Sequence, residues 1–178
     1  MHELIIEFWF HEIEPKQWWV KDKSFDQMIL ERFGKWHAQA KAGELASWRE
    51  TPLGSLAEII ILDQFSRNMY RDTSDAFAWD PMALALAQFA IEKGFDQQLA
   101  GMHRAFLFMP FMHSESPSIH EQALTLFEAL GIESSLDFER QHKAIIDRFG
   151  RYPHRNIILG RASTDEELAF FEQPGSGF

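Results

Sequence analysis

Apolar side chains recur at spacings of three and four residues along almost the whole chain, and no stretch sustains the in-and-out alternation of a strand. Few β-branched residues accompany that pattern, so the chain is confined to helices. Cap and stop signals then divide it. Met1 to Ile13 reads as a first helix with Leu4, Ile5, Phe8 and Trp9 on one stripe, and Pro15 opens a short segment carrying Trp18 and Trp19. Ser24 with Gln27 reads as a capping box that opens a long helix, buried through Phe25, Met28, Ile29, Phe33, Trp36 and Ala40 and stopped at Gly43. Thr51-Pro52 and Asp80-Pro81 each place a cap residue before a proline, the favoured helix start, and Gly94 closes the second of these helices. Met102 to Met109 reads as a helix interrupted at Pro110. Ser118 with Glu121 caps the next, which closes at Gly131. A helix from about Ser135 to Phe149 ends at Gly150, and Ser163 with Glu166 opens a last one that stops before Pro174. The tail Gly175-Ser176-Gly177-Phe178 is expected to be loose unless Phe178 docks. The expected architecture is all-α, a compact antiparallel helical array forming a single domain over residues 1–178.

Composition supports a well-filled core and narrows the chemistry. The 17 Phe and 6 Trp supply large apolar surfaces, so a chain of this length needs no disulfide or metal to fold. With no cysteine, thiolate chemistry and cysteine-based zinc or iron–sulfur sites are excluded. The net charge of −10 repels phosphate backbones and argues against nucleic acid as a partner. No apolar run reaches the length of a membrane span. Glu3 and Glu7 sit where a signal peptide would carry basic residues, so a cytoplasmic location is expected. Gly-x-Gly-x-x-Gly, Walker, Gly-x-Ser-x-Gly and EF-hand patterns are all absent.

Three polar clusters stand out against this background. In Ile59-Ile60-Ile61-Leu62-Asp63-Gln64-Phe65-Ser66-Arg67-Asn68 an apolar run leads straight into strong polar groups. Asp63 and Arg67 are four apart and share a helix face, as do Gln64 and Asn68. Burial of such groups is costly unless they are paired, so they form either a structural ion pair or the floor of a pocket. Pro110 and Pro117 bracket His113-Ser114-Glu115, where His113 and Glu115 are an acid–base pair, two metal ligands at a spacing that is not diagnostic or, alternatively, mere neighbours of helix-capping serines. From Arg148 to Arg161 there are four arginines and no acid, a local reversal of sign around Arg148, Arg151, His154, Arg155 and Asn156. The planar guanidinium fork suits carboxylate or phosphate. The same arginines could equally lock helices together through some of the 27 acidic residues.

These residues also carry a resemblance. Glu7-Phe8-Trp9-Phe10, Ile61-Leu62-Asp63-Gln64-Phe65-Ser66-Arg67-Asn68, Phe108-Met109-Pro110-Phe111-Met112-His113-Ser114-Glu115, Arg148 to Asn156, and Leu159-Gly160-Arg161 with Ser163-Thr164 and Glu166-Glu167 resemble a mostly bacterial family numbered 924 among the domains of unknown function. The likeness spans nearly the whole chain. It implies an all-helical fold similar to tetratricopeptide-like helical repeats, although the chain shows no fixed repeat period of its own. The family brings no established activity, cofactor or catalytic residue.

Two functions from different classes follow. One is a binding protein whose polar cleft takes an acidic peptide or a small anion through Arg67, Arg151, Arg155 and Asn156, with Asp63, Gln64 and Asn68 beside them. The other is a hydrolase for a small phosphorylated or carboxylated substrate, with His113 or His154 as base and Glu115 as acid or orienting group. No metal or cofactor is expected in either. Purely structural networks would explain the same residues without a ligand. Each functional reading requires the three clusters to meet in space.

Overall fold

In the structure, a computed structural model that describes residues 1–172, the chain is all-α, and no strand occurs among the described residues. The tail Gly175 to Phe178 lies outside them. Helix α1 spans Glu3–Glu7 and runs on as a wider π-helical turn, Phe8–Glu12. A 3₁₀ turn, Pro15–Trp18, leads to α2, Lys23–Lys41. The cap of α2 is Asp22, whose side chain accepts from the Ser24 and Phe25 amides, rather than the expected Ser24–Gln27 box. The aspartate lies two residues earlier and its carboxylate is the stronger acceptor.

The central rod starts at α3, Pro52–Ile60, where the Thr51 hydroxyl accepts from the Gly54 amide as expected. Gly54 lies so close to Trp48 that a Cβ would sit 2.1 Å from the Trp48 carbonyl oxygen. The rod continues through a π-helical turn, Ile61–Phe65, into α4, Ser66–Met69. Every residue from Gly54 to Ser66 is buried, so this rod is a core helix surrounded on all sides.

Helix α5, Asp80–Glu92, presses Ala83, Ala87 and Ala90 against α3, their small side chains allowing close approach. Its cap is Trp79; Asp80 is the first helical residue and its side chain is engaged elsewhere, as described below. Helix α6 spans Gly101–Met112 and passes straight through Pro110. Proline removes one backbone donor, but residues 105–112 are all buried and only two helical residues follow it, so packing outweighs the lost bond. Helix α7, Pro117–Leu130, starts one residue after Ser116, with no Ser118–Glu121 box, and closes at left-handed Gly131. Helix α8 is Glu133–Phe149, closed by Gly150, and a 3₁₀ turn follows at Pro153–Arg155. Helix α9, Asp165–Phe171, is opened by a Thr164–Glu167 capping box, one residue later than the expected Ser163–Glu166. The register moved because the Ser163 hydroxyl accepts from Asn156 instead. Helices α5 through α8 pack consecutively, and α6 also touches α3.

The core is aromatic and centred on the N-terminal half. Trp9 meets Phe65, Phe106 and Trp18 with ring centroids 5.4, 5.7 and 6.4 Å away, and Phe33 joins Phe8 to Phe65. A separate small cluster, Ile145, Ile146 and Tyr152 with Phe149 and Phe170, lies under the C-terminal turns. No helix of the described residues is long and apolar enough to cross a membrane.

Candidate functional site

The three polar clusters converge. The π-helical turn places Asp63 and Gln64 at its middle and Arg67 just beyond, and such turns frequently occur at functional positions. The C-terminal end of α6 delivers His113, whose Nδ1 lies 2.6 Å from the Asp63 carboxylate. The fork of Arg67 grips Asp80 with two bonds of 2.9 Å and also donates to the Asp63 backbone oxygen. Arg155 reaches the same Asp80 from the far end of the chain, at 3.2 Å, and donates to the His113 carbonyl. Both guanidinium groups lie over the ring of Phe77.

Beside this group Glu115 takes both arms of Arg161 at 2.6 and 2.9 Å and accepts from the Tyr152 amide. Arg161 joins Glu115 to Asn156, and Asn156 shares Glu167 with Arg151, whose two bonds to that carboxylate are 2.6 and 2.8 Å. His154 packs against Tyr152 with ring centroids 5.5 Å apart. Among the residues expected at the site, Asp63, Gln64, Arg67, His113, Glu115, Arg151, Arg155 and Asn156 therefore belong to one seam. Asn68 does not: it donates to Asp26, which also holds Arg71, and that group braces α4 against α2.

The electrostatics follow from burial and pairing. Burial alone would raise the Asp63 carboxyl, but the Arg67 guanidinium and the His113 ring hold it well below the carboxylate range. Burial and the nearby Arg67 charge lower His113, against the pull of Asp63, so its ring is neutral near pH 7. With Asp63 ionised, Nδ1 carries the hydrogen and donates it. Nε2 then holds the lone pair, and no described group bonds to it, although the His113 side chain is 16% exposed. His154 is lowered to about 4 by burial and by Arg155. Burial opposes the ionisation of Glu115, but Arg161 and the Tyr152 amide keep it below its ordinary value.

The backbone around His113 is held as firmly as its ring. The Tyr152 hydroxyl donates to the Met112 carbonyl, Arg155 to the His113 carbonyl, and His120 contacts the Ser114 carbonyl at 2.8 Å. These are carbonyls at a helix end, which lack partners inside the helix.

Asp80, Tyr152, Arg161, His120, Glu139 and Glu167 were not among the expected site residues. Asp80 carried a signal, since four arginines without a local acid must find carboxylates elsewhere, but its place before Pro81 read fully as a helix start. Among the described residues no group of three or more His, Asp or Glu side chains is arranged to hold a metal ion.

A family model described as bacterial protein of unknown function (DUF924) matches residues 5–175. A protein of unknown function from Agrobacterium tumefaciens has a solved structure similar to this one. The two chains share 38% identity and a TM-score of 0.92, with 97% of each chain covered. No curated protein matches the chain.

Proposed function

The chain belongs to the DUF924 family of bacterial proteins of unknown function, and from that premise we propose that it is a hydrolase acting on a small phosphorylated or carboxylated molecule, with His113 as its general base. One observation carries this reading. Asp63, Arg155, Tyr152 and His120 fix the ring and backbone at His113, while no described group bonds its Nε2. A neutral imidazole oriented by a buried carboxylate is the arrangement that takes a proton from water. Arg67 supports the choice of substrate. Its forked nitrogens are committed to Asp80 and Asp63, no described group accepts from its Nε, and its side chain is one-fifth exposed, so it can still donate to an anionic group beside His113. Glu115, bonded twice to Arg161, serves the frame of the site and not the proton transfer.

An acidic-peptide or anion cleft built on several free arginines is less well supported. The guanidinium groups of Arg67, Arg151 and Arg155 are each compensated by a carboxylate of the chain, which leaves little unbalanced positive charge to attract an acidic segment.

The test is a panel of small phosphate monoesters and carboxylic esters offered to the wild type and to His113→Asn. Turnover should fall about 10²–10⁴-fold in the variant, with little change in melting temperature. Equal turnover in both proteins, or turnover of no ester by the wild type, would overturn the proposal.

A further inference from the structure

Next to the seam lies a buried pair that the proton transfer proposed above does not use. His120 on α7 and Glu139 on α8 are both fully buried, with Nδ1 and Oε1 2.7 Å apart. The other nitrogen of His120 faces two oxygens, the Ser114 carbonyl at 2.8 Å and the Tyr152 hydroxyl at 3.2 Å. A carbonyl can only accept, and the Tyr152 hydrogen is already donated to Met112. His120 Nε2 must therefore carry a hydrogen. Nδ1 and Oε1, at hydrogen-bond distance, must hold a second between them, either on the ring as an imidazolium or on the acid as a carboxyl. The second carboxyl oxygen, Oε2, is buried without a partner among the described residues, a position that costs far less for a neutral acid than for an anion.

We infer that Glu139 and His120 are positioning residues for His113, and that the proton they share keeps the Ser114 carbonyl, and with it the turn that carries His113, in place. The inference takes His113 as the working residue proposed above. With one proton fewer, one of the two contacts must set two lone pairs face to face. If the remaining hydrogen stays on Nε2, the carboxylate faces a bare Nδ1. If it moves to Nδ1, the bare Nε2 faces the Ser114 carbonyl, and Tyr152 can satisfy that nitrogen only by releasing Met112. Because the carboxylate is the stronger acceptor, the second outcome is favoured and the turn loosens. Burial raises the Glu139 carboxyl, which agrees with a pair that keeps its proton.

The surroundings offer no simple replacement for that proton. On α8, Lys143 is engaged by Glu121 and Asp147, and His142 bonds the Phe138 carbonyl. From the C-terminal turns, Arg155 lies over the Tyr152 ring, His154 packs against it, and Glu115 is held by Arg161. Arg67, Asp63 and Asp80 act on His113 itself.

The experiment is an NMR pH titration, from about pH 5 to 10, of the ring nitrogens of His120 and His113 and the carbonyl carbon of Ser114. In the wild type His120 Nε2 should be protonated at neutral pH. As pH rises, the Ser114 carbonyl and the His113 ring should move with one common midpoint as His120 changes state. In Glu139→Gln the side-chain amide donates to Nδ1 at every pH, so that step should vanish while Ser114 keeps its low-pH signal. A merely structural pair would not transmit its titration to His113. A bare Nε2 at neutral pH, a Ser114 signal that stays flat in the wild type, or a step that persists in Glu139→Gln would each overturn the inference. The first two measurements need only the wild type, should the variant fail to fold. None requires a substrate, so a failed search for turnover leaves this inference standing, and a flat Ser114 signal leaves the His113 base reading untouched.

Discussion

The aromatic core around Trp9 and the polar seam around Asp80 stabilise the same helices by opposite means. In the core, Phe8, Trp9, Phe33, Phe65 and Phe106 interlock chiefly ring against ring, with Arg32 over the rings of Phe8 and Phe33, and removal of any one leaves a void. In the seam, Asp63, Asp80, Arg67 and Arg155 are nearly as buried, yet each is tolerated only because another group balances it. A core needs only shape and is indifferent to pH. A seam of balanced charge responds to proton concentration and fails abruptly when one partner is lost. Helices can be held by the first device alone, so the presence of the second around His113, whose Nε2 no described group bonds, supports the proposal that this is a place of function.

The largest effects should come from breaking each region at its hub. Phe65→Ala should cost about 3–5 kcal/mol, and by the same amount at pH 5 and pH 8, because only packing is lost. Asp80→Ala should cost a similar 3–5 kcal/mol or so by stranding the charges of Arg67 and Arg155. The two differ in rescue: Asp80→Asn, which keeps the shape but not the charge, should recover little of the loss. Urea unfolding at two pH values measures both. An Asp80→Asn protein as stable as the wild type would remove the contrast between the regions.

Acid should separate the regions next. Burial, opposed by the Phe138 carbonyl, lowers His142 to about 3, and burial with Arg155 lowers His154 to about 4; both lie beside the seam. Burial also lowers His37, which meets the Ser66 hydroxyl and not the seam's carboxylates, to about 4. A ring kept neutral in the folded state but free to take a proton when unfolded contributes fully above the ordinary histidine value of about 6.5, and that contribution is lost as pH falls through the folded value. Melting temperature should therefore decline from about pH 6.5 toward pH 4. Replacing His142 and His154 by glutamine should flatten that decline more than replacing His37. Glu167, lowered to about 2 chiefly by its bond to Arg151, adds a further loss only below the ordinary carboxylate range. An equal flattening by His37→Gln would show that acid sensitivity is spread evenly and not concentrated at the seam.

The two regions were also unequally legible in the sequence. Helices announce themselves through apolar spacing and through residues such as Thr51, Gly131 and Gly150, whose roles are local. The errors were local competitions: Asp22 over Ser24 at a cap, Thr164 over Ser163, and burial over Pro110. The seam was legible as three clusters of unusual polarity, and the structure brings those clusters together. What could not be read was the pairing, because it depends on which distant acid each arginine meets. Asp80 lies 13 residues from Arg67 and 75 from Arg155, and nothing in its neighbourhood distinguishes a helix-opening aspartate from a charge hub. His120 and Glu139 carry no local signal for the same reason, since they lie 19 residues apart on different helices. Asn68, four residues from Gln64, was drawn into the site by helical spacing, but the π-helical turn at 61–65 adds a residue per turn, and Asn68 meets Asp26 instead.

Smaller effects can show whether burial, and not pairing as such, gives the seam its weight. Arg161→Lys keeps the charge opposite Glu115 but loses the two-armed grip and the bond to Asn156, and should cost about 1–3 kcal/mol. Arg140 on α8 is an informative counterpart. It touches two acids, Glu133 and Asp137, where Arg161 touches one, but its side chain is half exposed, and water replaces whatever a substitution removes. Arg140→Ala should therefore change stability by about 0.5 kcal/mol or less, and raising the salt concentration should erase even that. Arg140 makes two ion pairs and Arg161 one, and Arg161→Lys keeps its charge, so counting ion pairs predicts the larger loss at Arg140, whereas desolvation predicts the larger loss at Arg161. Thermal unfolding of the two variants at low and high salt decides between these, and equal losses would mean that the seam is held by the same weak surface pairing as the rest of the acidic exterior.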